Sequence, residues 1–494
     1  MIACTLAVFL LPVQEYRSKK GNAGFRKSGP PLPCTLVLKM PSKDTWTAVI
    51  LAAGLGKRMR SKTPKALQPL AGKLMARYVL DAALSALPKR GPKRCVVVVG
   101  HGAGQVKAAL GDAVEYAHQA KQLGTGHALA QAKPLAKDAS HILVLNADIP
   151  LISSGTIAGL IARHVSEKSA LTFLTANVED ARGLGRVQRD RKGRVTGVIE
   201  EADADQSARA TTEVNVGVYC FRGDWLWPHL TRVSKSAAGE YYLTDLIATA
   251  IEEGASVMAM PTEDPNEGMG INDRTQLAQA DGILRDRVRK LHMLGGVTLI
   301  DPTSVYIDAD VAIGQDSTIY PNTMLLGQTR IGPDCAIGPN SQIIDSTLGA
   351  GCRVSSSVIE AATLEDSVDV GPFSHIRSGS YICQGVHIGN FAEVKNSRLG
   401  RNTKMGHFSY MGDADVGDNV NIGAGTITCN YDGVRKHRTV IGDGAFIGSD
   451  TMLVAPVEVG AGARTGAGSV VNHNVPADRL AVGMPARIRH KKGD

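Results

Sequence analysis

A run of glycines and cations follows the first strongly apolar segment of the chain and could bind phosphate. The segment Leu51-Ala52-Ala53-Gly54-Leu55-Gly56-Lys57-Arg58 comes directly after the strand-like run that ends at Ile50. Glycine lets backbone N–H groups approach a polyphosphate, and Lys57 and Arg58 add positive charge. Because Arg58 stands where a Walker A loop needs Ser or Thr, and the glycines lack the GxGxxG spacing, neither of those motifs is present. A glycine turn without a ligand is the alternative.

Three later segments supply the other groups that a nucleotide site needs. Pro64-Lys65 adds a second cation, and Gln122-Leu123-Gly124-Thr125-Gly126 forms a tight polar turn. Asn146-Ala147-Asp148 follows the apolar run Ile142–Leu145, so it places a carboxylate at the end of a strand. A carboxylate there suits a Mg²⁺ ion that bridges triphosphate oxygens. Together with the glycine loop, these segments predict a Mg²⁺-dependent nucleotide site.

A sheet is required to bring these loops together. From residue 46 to about residue 280, apolar runs alternate with helical patterns, which predicts a doubly wound (Rossmann-like), mostly parallel α/β sheet. The predicted strands are Thr47–Ala53, Cys95–Val99, Ile142–Leu145, Ala170–Ala176 and Val214–Phe221, and the predicted helices include Arg77–Leu87 and Ile157–His164. Ligands of such sheets lie beyond the carboxyl ends of the strands. A helix predicted over residues 275–295 connects this domain to the next, with a partner-binding helix as the alternative.

After Val305 the apolar period changes to six residues. The phased positions are Ile313, Ile319, Leu325, Ile331, Ile337 and Ile343, then Leu364, Val370, Ile376, Ile382, Ile388 and Val394, then Ile441, Ile447, Leu453 and Val459. Many of the 54 glycines of the chain lie in this half. The pattern is the hexapeptide repeat of a parallel β-helix, in which three runs of six complete one triangular coil. The phase slips near Ser346–Gly349 and Asn396–Leu399, and the polar insertion Cys429–Arg438 leaves the coil. Function often resides in such loops, although a plain surface loop is the alternative.

The composition describes a folded protein with positively charged ends. Hydrophobic residues make up 43% and charged residues 21% of the 494 residues, which excludes a wholly disordered chain. The formal net charge of +8 comes from the residues before Met40 and from the last eight residues. Since the body between them has no basic stripe, nucleic-acid binding is not expected.

Cysteine spacing and hydropathy exclude further classes. The eight cysteines form no CxxC pair, so neither a zinc site nor a disulfide framework is indicated, and a reducing cytoplasm fits. No run reaches the ~20 apolar residues of a membrane helix. The apolar run Ile2–Val13 lacks the flanks of a signal peptide, and residues 1–39 are expected to be a non-functional tail. The predicted organisation is a disordered extension (1–45), an α/β domain (46–274), a linker helix (275–304) and a β-helix domain with a C-terminal tail (305–494).

The motifs of both halves resemble those of one enzyme family. The pattern LxxGxGxRM, the Pro64-Lys65 pair and QLGTG on a doubly wound sheet are similar to those of sugar-1-phosphate nucleotidyltransferases. Joined to a left-handed hexapeptide β-helix with GHxxY and CNYDG segments, they resemble the bacterial bifunctional N-acetylglucosamine-1-phosphate uridyltransferase/glucosamine-1-phosphate acetyltransferases. The resemblance covers about residues 46–485. It implies acetylation of glucosamine-1-phosphate by acetyl-CoA, followed by uridylyl transfer from UTP with Mg²⁺, giving UDP-N-acetylglucosamine for cell-envelope polymers.

The resemblance also implies the residues of the uridylyl site. Arg58 and Lys65 would contact the phosphates, and Asp148 and Asn272 would bind Mg²⁺. The remaining nucleotide and sugar contacts would be Leu51, Ala52, Ala53, Gly54, Gln119, Gly124, Thr125, Gly185, Glu200 and Asn215. Catalysis there would consist of positioning and charge neutralisation while the sugar phosphate attacks the α-phosphorus, with no protein nucleophile.

For acetyl transfer, the resemblance implies that His407 takes a proton from the 2-amine of the sugar and that Glu393 is the acidic residue associated with it. The sugar phosphate would be held by Arg377 and Lys395, and the rest of the sugar site would be formed by Tyr410, Asn421, Asn430 and Tyr431. Acetyl-CoA would contact Ala424, Ser449 and Ala467.

The family resemblance further implies a homotrimer in the cytoplasm, with the acetyl sites between subunits and small molecules as substrates. Two departures from the family pattern concern binding. Asn146-Ala147 precedes Asp148 where glycine is common, and Met484 stands where some relatives carry a coenzyme-binding Arg. Arg487 or Arg489 is expected to replace that Arg. The alternatives are a single-activity nucleotidyltransferase with a non-catalytic β-helix and a scaffold with a degenerate nucleotide-binding domain.

Overall fold

The computed structural model describes residues 44–89, 94–236 and 239–490. Apart from its last two residues, the predicted disordered extension lies outside the described residues, as do residues 491–494. The described residues belong to one compact unit, so contacts between the two halves of the chain can be followed directly.

The first half is the predicted α/β domain. Its strands are β1 (Trp46–Ala52), β2 (Pro69–Leu70), β3 (Lys73–Leu74), β4 (Arg94–Val99), β5 (Glu115–His118), β6 (His141–Asn146), β7 (Leu171–Asn177), β8 (Arg186–Arg189), β9 (Val195–Ile199), β10 (Glu213–Arg222) and β11 (Val257–Pro261). The helices are α1 (Met75–Ala86), α2 (Ala103–Leu110), α3 (Thr125–Ala136), α4 (Ser154–Ser166), α5 (Gln206–Arg209), α6 (Gly223–Leu230), α7 (Asp245–Glu252) and α8 (Arg274–Leu294).

The main sheet has the order β11-β7-β10-β6-β1-β4-β5, with β8 and β9 attached at β10, and β2 and β3 form a separate hairpin. Strands β1, β4, β5 and β6 are parallel, while β10 is antiparallel to both β6 and β7. Since β1 and β6 are almost wholly apolar, they form the buried centre of the sheet. Their carboxyl ends therefore lie side by side and present the glycine loop and Asp148 at one edge.

Helix α8 connects the α/β domain to the β-helix. Asp273 caps its first turn by accepting the N–H groups of Thr275 and Gln276, and the helix ends before Gly295. Asp281 on α8 accepts the N–H of Ala71 at 2.6 Å, and the oxygen of Ala71 accepts the N–H of Ala309 at 2.9 Å. The β2–β3 turn is thus held between the helix and the first coil, which fixes the two halves together.

The second half consists of short strands that repeat along the chain. They are β12 (Thr298–Leu299), β13 (Tyr306–Ile307), β14 (Ala312–Ile313), β15 (Thr318–Ile319), β16 (Met324–Leu326), β17 (Arg330–Ile331), β18 (Ala336–Ile337), β19 (Gln342–Ile344), β20 (Thr347–Leu348), β21 (Arg353–Val354), β22 (Val358–Glu360), β23 (Thr363–Leu364), β24 (Asp369–Val370), β25 (His375–Ile376), β26 (Tyr381–Ile382), β27 (His387–Ile388), β28 (Ala392–Lys395), β29 (Arg398–Leu399), β30 (Lys404–Met405), β31 (Ser409–Gly412), β32 (Ala414–Val416), β33 (Asn421–Ile422), β34 (Ile427–Cys429), β35 (Thr439–Ile441), β36 (Phe446–Ile447), β37 (Met452–Val454), β38 (Val457–Val459), β39 (Arg464–Thr465), β40 (Val470–Val471), β41 (Arg479–Val482) and β42 (Arg487–His490).

Every third strand joins the same parallel sheet, so the strands form three flat faces. Face A runs from β12 through β15 to β39 and ends in β41 and the antiparallel β42; face B runs from β13 to β40; face C runs from β14 to β38. The phased apolar residues point inward and stack in register, as Ile319 does on Ile337. This is the predicted left-handed hexapeptide β-helix, and the predicted fold class is confirmed.

The irregularities of the repeat are more numerous than the sequence pattern indicated. Five-residue steps occur at the two predicted slips and also between Val354 and Leu364 and between Met411 and Val416. The first β-helix strand, β12, begins at Thr298 within the segment predicted as linker. No helix in the described ranges is long and apolar enough to cross a membrane.

Candidate active sites

A cavity of about 650 Å³ opens at the carboxyl ends of β1 and β6. It is lined by every residue that the sequence assigned to the uridylyl site. These are Leu51, Ala52, Ala53, Gly54, Arg58, Lys65, Gln119, Gly124, Thr125, Asp148, Gly185, Glu200, Asn215 and Asn272. The residues come from widely separated segments of the chain between Leu51 and Asn272, so the fold rather than the local sequence gathers them.

The phosphate end of this nucleotide cavity is built around Lys65. Gly56 has a φ of +57°, and a Cβ on it would lie 2.8 Å from the Cβ of Lys65, so glycine is required for this close approach. The Lys65 Nζ donates to Asp148 Oδ2 at 2.5 Å and to Asn272 Oδ1 at 2.9 Å. The ammonium group therefore lies where a carboxylate oxygen and an amide oxygen converge.

This arrangement fits the predicted divalent cation. Oxygen atoms of Asp148 and Asn272 are the hard ligands that Mg²⁺ prefers, and a positive charge is already stabilised between them. Backbone hydrogen bonds hold the carboxylate in place, because Ala147 N donates to Leu51 O at 3.0 Å and Ile271 N donates to Asp148 O at 2.9 Å. Asp148 and Asn272 would supply two protein ligands, and Mg²⁺ commonly takes its other ligands from water and substrate phosphates.

The sugar end of the cavity is formed by β10 and the segment around Glu200. Asn215 Nδ2 donates to the buried Tyr219 hydroxyl at 2.6 Å, and Asn215 Oδ1 accepts the N–H of Gly217. Burial raises the pKa of Glu200, while the Thr244 hydroxyl, which donates to its Oε1 at 2.8 Å, acts in the opposite direction. A sugar bound at this end could therefore form hydrogen bonds with the Asn215 amide and with the partly desolvated Glu200 carboxyl group.

A third part of the nucleotide cavity, away from the phosphate and sugar ends, is less polar. It is lined by Ala52 and Ala53 at the end of β1 and by the turn that leads into α3. Gln119, only 3% exposed, donates from Nε2 to Gly124 O at 3.1 Å and also contacts His127 Nδ1 at 2.9 Å. Small side chains beside a fixed amide suit a flat ring with a hydrogen-bonding edge.

A second cavity, of about 540 Å³, lies along the corner between faces A and B. His407 lies in the turn from β30 to β31, and Ala424, Ser449 and Ala467 occupy the corresponding turns of the next three coils. With Asn421 on β33, they line this coenzyme cavity. The small side chains form a column that begins at His407 and continues toward the C-terminal end of the β-helix.

The other predicted acetyl-site residues lie on face B or where its strands turn toward face C. Arg377 Nη1 donates to Glu393 Oε1 at 2.7 Å, and Glu393 is in register with Tyr410 on the next strand. Gly412 follows on β31, and a Cβ there would lie 2.5 Å from Cζ of Tyr410. Within the described residues, the recorded partner of the Glu393 carboxylate is therefore Arg377 rather than His407.

The inserted loop brings Lys436 close to Lys395 and Arg377, and these three cations are called the sugar-phosphate cluster. The pKa of Lys395 is lowered mainly by its contact with Lys436, and the charge of Arg377 adds to the effect. Asp432 supports the loop by accepting two backbone N–H groups and, at 2.6 Å, His437 Nε2, which together hold the pKa of its carboxyl well below the usual range. Three cations at one place create a site for a phosphate group.

Asn430 and Tyr431 lie at the base of this loop. Asn430 Nδ2 donates to Asp413 Oδ2 at 2.5 Å, and Asp413 Oδ1 accepts Asn396 Nδ2 at 2.6 Å. Tyr431 is 60% exposed and donates to Gly433 O at 2.7 Å. Asn430 is thus fixed to the coil, whereas the Tyr431 ring faces solvent.

Comparison with known proteins identifies the family. A nucleotidyl transferase family matches residues 47–266, and the bacterial transferase hexapeptide family (six repeats) matches residues 310–345 and 438–473. The bifunctional protein GlmU of Brevibacillus brevis is 44% identical over 443 residues, covering 89% of this chain and 95% of the relative. That of Pelobacter propionicus is 45% identical over 449 residues, covering 90% and 97%. The chain belongs to the GlmU family. The family predicted from the sequence is confirmed.

Several site residues of this GlmU family member carry no signal in the sequence. Thr244 follows no motif, and its role rests on a contact with Glu200, 44 positions away. Lys436 stands in the insertion that sequence analysis singled out, but its proximity to Lys395 depends on how the loop folds. Gly412 resembles the other glycines of the repeat until the position of the Tyr410 ring is known.

The two residues that depart from the family pattern, Ala147 and Met484, lie in different environments. Ala147 is buried, and its backbone N–H is used to bind β1. Met484 is 78% exposed in the turn between β41 and β42. Arg487 and Arg489 on β42 are exposed and in register with Val482 and Leu480 at the end of face A.

Proposed function

We propose that this chain makes UDP-N-acetylglucosamine in two steps. It transfers the acetyl group of acetyl-CoA to glucosamine-1-phosphate, and then transfers a uridylyl group from UTP to N-acetylglucosamine-1-phosphate with release of pyrophosphate. The observation that carries this proposal is the presence of two separate cavities, each with its own set of polar residues, in one chain of the GlmU family.

In uridylyl transfer, the phosphate oxygen of the sugar attacks the α-phosphorus, and pyrophosphate leaves. Arg58 and Lys65 offset the negative charge at the phosphate end of the cavity, while Asn215 and Glu200 hold the sugar at the other end. A Mg²⁺ ion held by Asp148 and Asn272 would neutralise phosphate charge. Because no bond to the protein forms, the residues act by positioning and by electrostatic stabilisation.

In acetyl transfer, the 2-amine of the sugar attacks the thioester carbonyl, and the thiol of CoA leaves. A neutral His407 accepts the proton that the amine loses; it lines the coenzyme cavity in the turn that leads into face B, whose strands carry Glu393 and Tyr410. Arg377, Lys395 and Lys436 bind the phosphate of the sugar. Glu393 holds Arg377 in place through their ion pair.

The nucleotide end of CoA binds near the β41–β42 hairpin in this proposal. A molecule that extends from His407 along Ala424, Ser449 and Ala467 reaches the last coil, where Arg487 and Arg489 are exposed. Replacing both arginines with alanine is expected to raise KM for acetyl-CoA several-fold, whereas Arg330→Ala on face C leaves it unchanged. An unchanged KM in the double variant contradicts this assignment.

The assembly proposed is a homotrimer that completes the acetyl site. The coenzyme cavity, at the corner between faces A and B, and the sugar-phosphate cluster, toward face C, are both open in one protomer, which supports a neighbouring subunit closing the site. Sedimentation of the purified chain tests the trimer. A cytoplasmic location stays a prediction.

The decisive experiment supplies the full chain with glucosamine-1-phosphate, acetyl-CoA, UTP and Mg²⁺, and follows free CoA and pyrophosphate separately. Release of both is expected, with pyrophosphate dependent on acetyl-CoA. If pyrophosphate forms only from added N-acetylglucosamine-1-phosphate and CoA is never released, the β-helix has no acetyltransferase activity. His407→Ala and Asp148→Ala are matched variants: Asp148→Ala is expected to abolish pyrophosphate release and spare CoA release, whereas His407→Ala is expected to abolish CoA release and to release pyrophosphate only when N-acetylglucosamine-1-phosphate is added.

A further inference from the structure

The hydrogen bonds of Gln119 leave only one orientation for its amide. Gly124 O can only accept, so the amide atom 3.1 Å away must be the Nε2 group. The second N–H of Nε2 then faces His127 Nδ1 at 2.9 Å, and this ring nitrogen must accept. Since both N–H groups are engaged, the polar atom that Gln119 can offer to the nucleotide cavity is Oε1.

His127 is itself held on several sides. Its ring stacks on Tyr241 with centroids 6.4 Å apart, and Tyr241 O accepts the N–H of Gly126 at 2.8 Å. Gln131 Nε2 donates to the backbone oxygen of His127 at 3.1 Å; because Nδ1 accepts, the ring Nε2 carries the proton, and its 3.3 Å contact with Gln131 Nε2 is not a hydrogen bond. The imidazole is therefore positioned with Nδ1 toward Gln119.

The base of the nucleotide must lie at this end of the cavity. The triphosphate is drawn to Lys65 and Arg58, and the sugar to the carboxyl and amide groups of Glu200 and Asn215. The remaining end offers small side chains and Gln119, which suit a flat heterocycle. An Oε1 acceptor favours a base with a ring N–H donor, as uracil and thymine have at N3, and repels cytosine, whose N3 is an acceptor.

We propose that His127 is a positioning residue for base selection: by holding the Gln119 amide with Oε1 toward the base, it favours nucleotides that carry a ring N3–H. This inference rests on the proposed uridylyl transfer and names a determinant of its nucleotide preference. His127 acts through Gln119 and does not touch the reacting atoms.

Three variants separate positioning from a structural role. His127→Ala removes the acceptor, His127→Asn places an oxygen near the former Nδ1, and His127→Gln places one near the former Nε2. Each is assayed for pyrophosphate release with UTP, TTP and CTP and N-acetylglucosamine-1-phosphate, and kcat and KM are measured separately. Thermal melting and acetyl transfer by the same preparations report whether the chain is folded.

The preference for UTP over CTP in kcat/KM is expected to fall about fivefold in His127→Ala, mostly through KM, because one hydrogen bond that fixes the amide is lost. The ratio of UTP to TTP stays constant, since both bases carry N3–H. His127→Asn restores the preference and His127→Gln does not. Equal losses for all three nucleotides, or equal behaviour of the Asn and Gln variants, overturn the inference.

Direct binding distinguishes this inference from the proposed function. Calorimetric titration of wild type and variants with UTP and with CTP measures the same preference without turnover. If wild type releases no pyrophosphate but the binding preference for UTP over CTP still falls in His127→Ala, uridylyl transfer is wrong and the positioning role stands. If wild type is active and the binding preference is unchanged in His127→Ala, the positioning role is wrong.

Discussion

Replacing Gly412 with alanine is expected to damage acetyl transfer alone. The backbone of Gly412 does not have the positive φ that favours glycine, so alanine fits the main chain. Its new Cβ, however, would lie 2.5 Å from Cζ of Tyr410, closer still to the hydroxyl, and 2.8 Å from Nδ2 of Asn430. Ordinary carbon contacts are about 3.5 Å or more, so the Tyr410 ring must move by about 1 Å.

A displacement of this size is large for a residue that positions a substrate. Misplacement by about 1 Å can reduce a rate by about 10²-fold, which is the fall expected in kcat/KM for glucosamine-1-phosphate. Tyr410 is partly exposed and can swing outward, so the free energy of unfolding should change little. Uridylyl transfer from added N-acetylglucosamine-1-phosphate, in a separate domain, should retain its wild-type rate.

The assay records CoA release at varied glucosamine-1-phosphate and pyrophosphate release in a parallel reaction. Tyr410→Ala is the matched control, because in that background the methyl group at residue 412 meets no ring and only its 2.8 Å contact with Asn430 Nδ2 remains, so any further loss reports displacement of Asn430. If Gly412→Ala acetylates at the wild-type rate, Tyr410 does not position the sugar. If both reactions fall together, the substitution acts on folding.

Three further outcomes are expected. Lys65→Met should lower kcat of uridylyl transfer by on the order of 10²-fold, because the cation between Asp148 and Asn272 is lost, and should leave CoA release unchanged. Equal loss of both activities would refute a role for Lys65 in uridylyl transfer alone. Burial lowers the pKa of His164 to about 3, so below pH 6.5 this histidine takes up a proton in the unfolded chain but not in the folded one, and the free energy of unfolding falls as the pH is lowered. At pH 5 the loss is about 2 kcal/mol. Urea denaturation at pH 7 and pH 5 should therefore show a smaller decline in stability for His164→Gln than for wild type. Burial raises the pKa of Glu200, so ionisation of its carboxyl lowers the stability of the folded chain as the pH rises above about 4.5. Glu200→Gln should therefore have a higher melting temperature than wild type at pH 8, and this difference should vanish near pH 4.5. The same substitution should weaken uridylyl transfer.

The parts of the fold that repeat locally could be predicted from the sequence. Inward residues such as Ile376 and Ile388 recur at fixed spacing because each coil buries only its own apolar positions against its neighbours. The direction of β10 was not predictable, because an apolar run reads the same in either direction. The extra five-residue steps, such as that between Val354 and Ile359, were missed because a step shortened by one residue still places an apolar residue inside.

For the sites, the sequence predicted the groups that lie in motifs and missed those recruited from elsewhere. The glycine loop and Lys65 are close along the chain, so their proximity follows from local spacing. Thr244 and His127 act through contacts with Glu200 and Gln119, and their importance depends on which side chain each one meets. The assignments of individual site residues stay predictions until the variants are measured.

The length of the β-helix has a consequence for how the two reactions communicate. Along face A, β30 beside His407 lies six strands beyond β12, which at about 4.8 Å per strand is about 30 Å. An intermediate released at one site of a chain must therefore cross bulk solvent before the other site can capture it. It mixes with the cellular pool on the way, so flux through the second reaction follows the concentration of that pool rather than the turnover of the first site, and unlabelled intermediate added to the medium should dilute label carried from glucosamine-1-phosphate into the product.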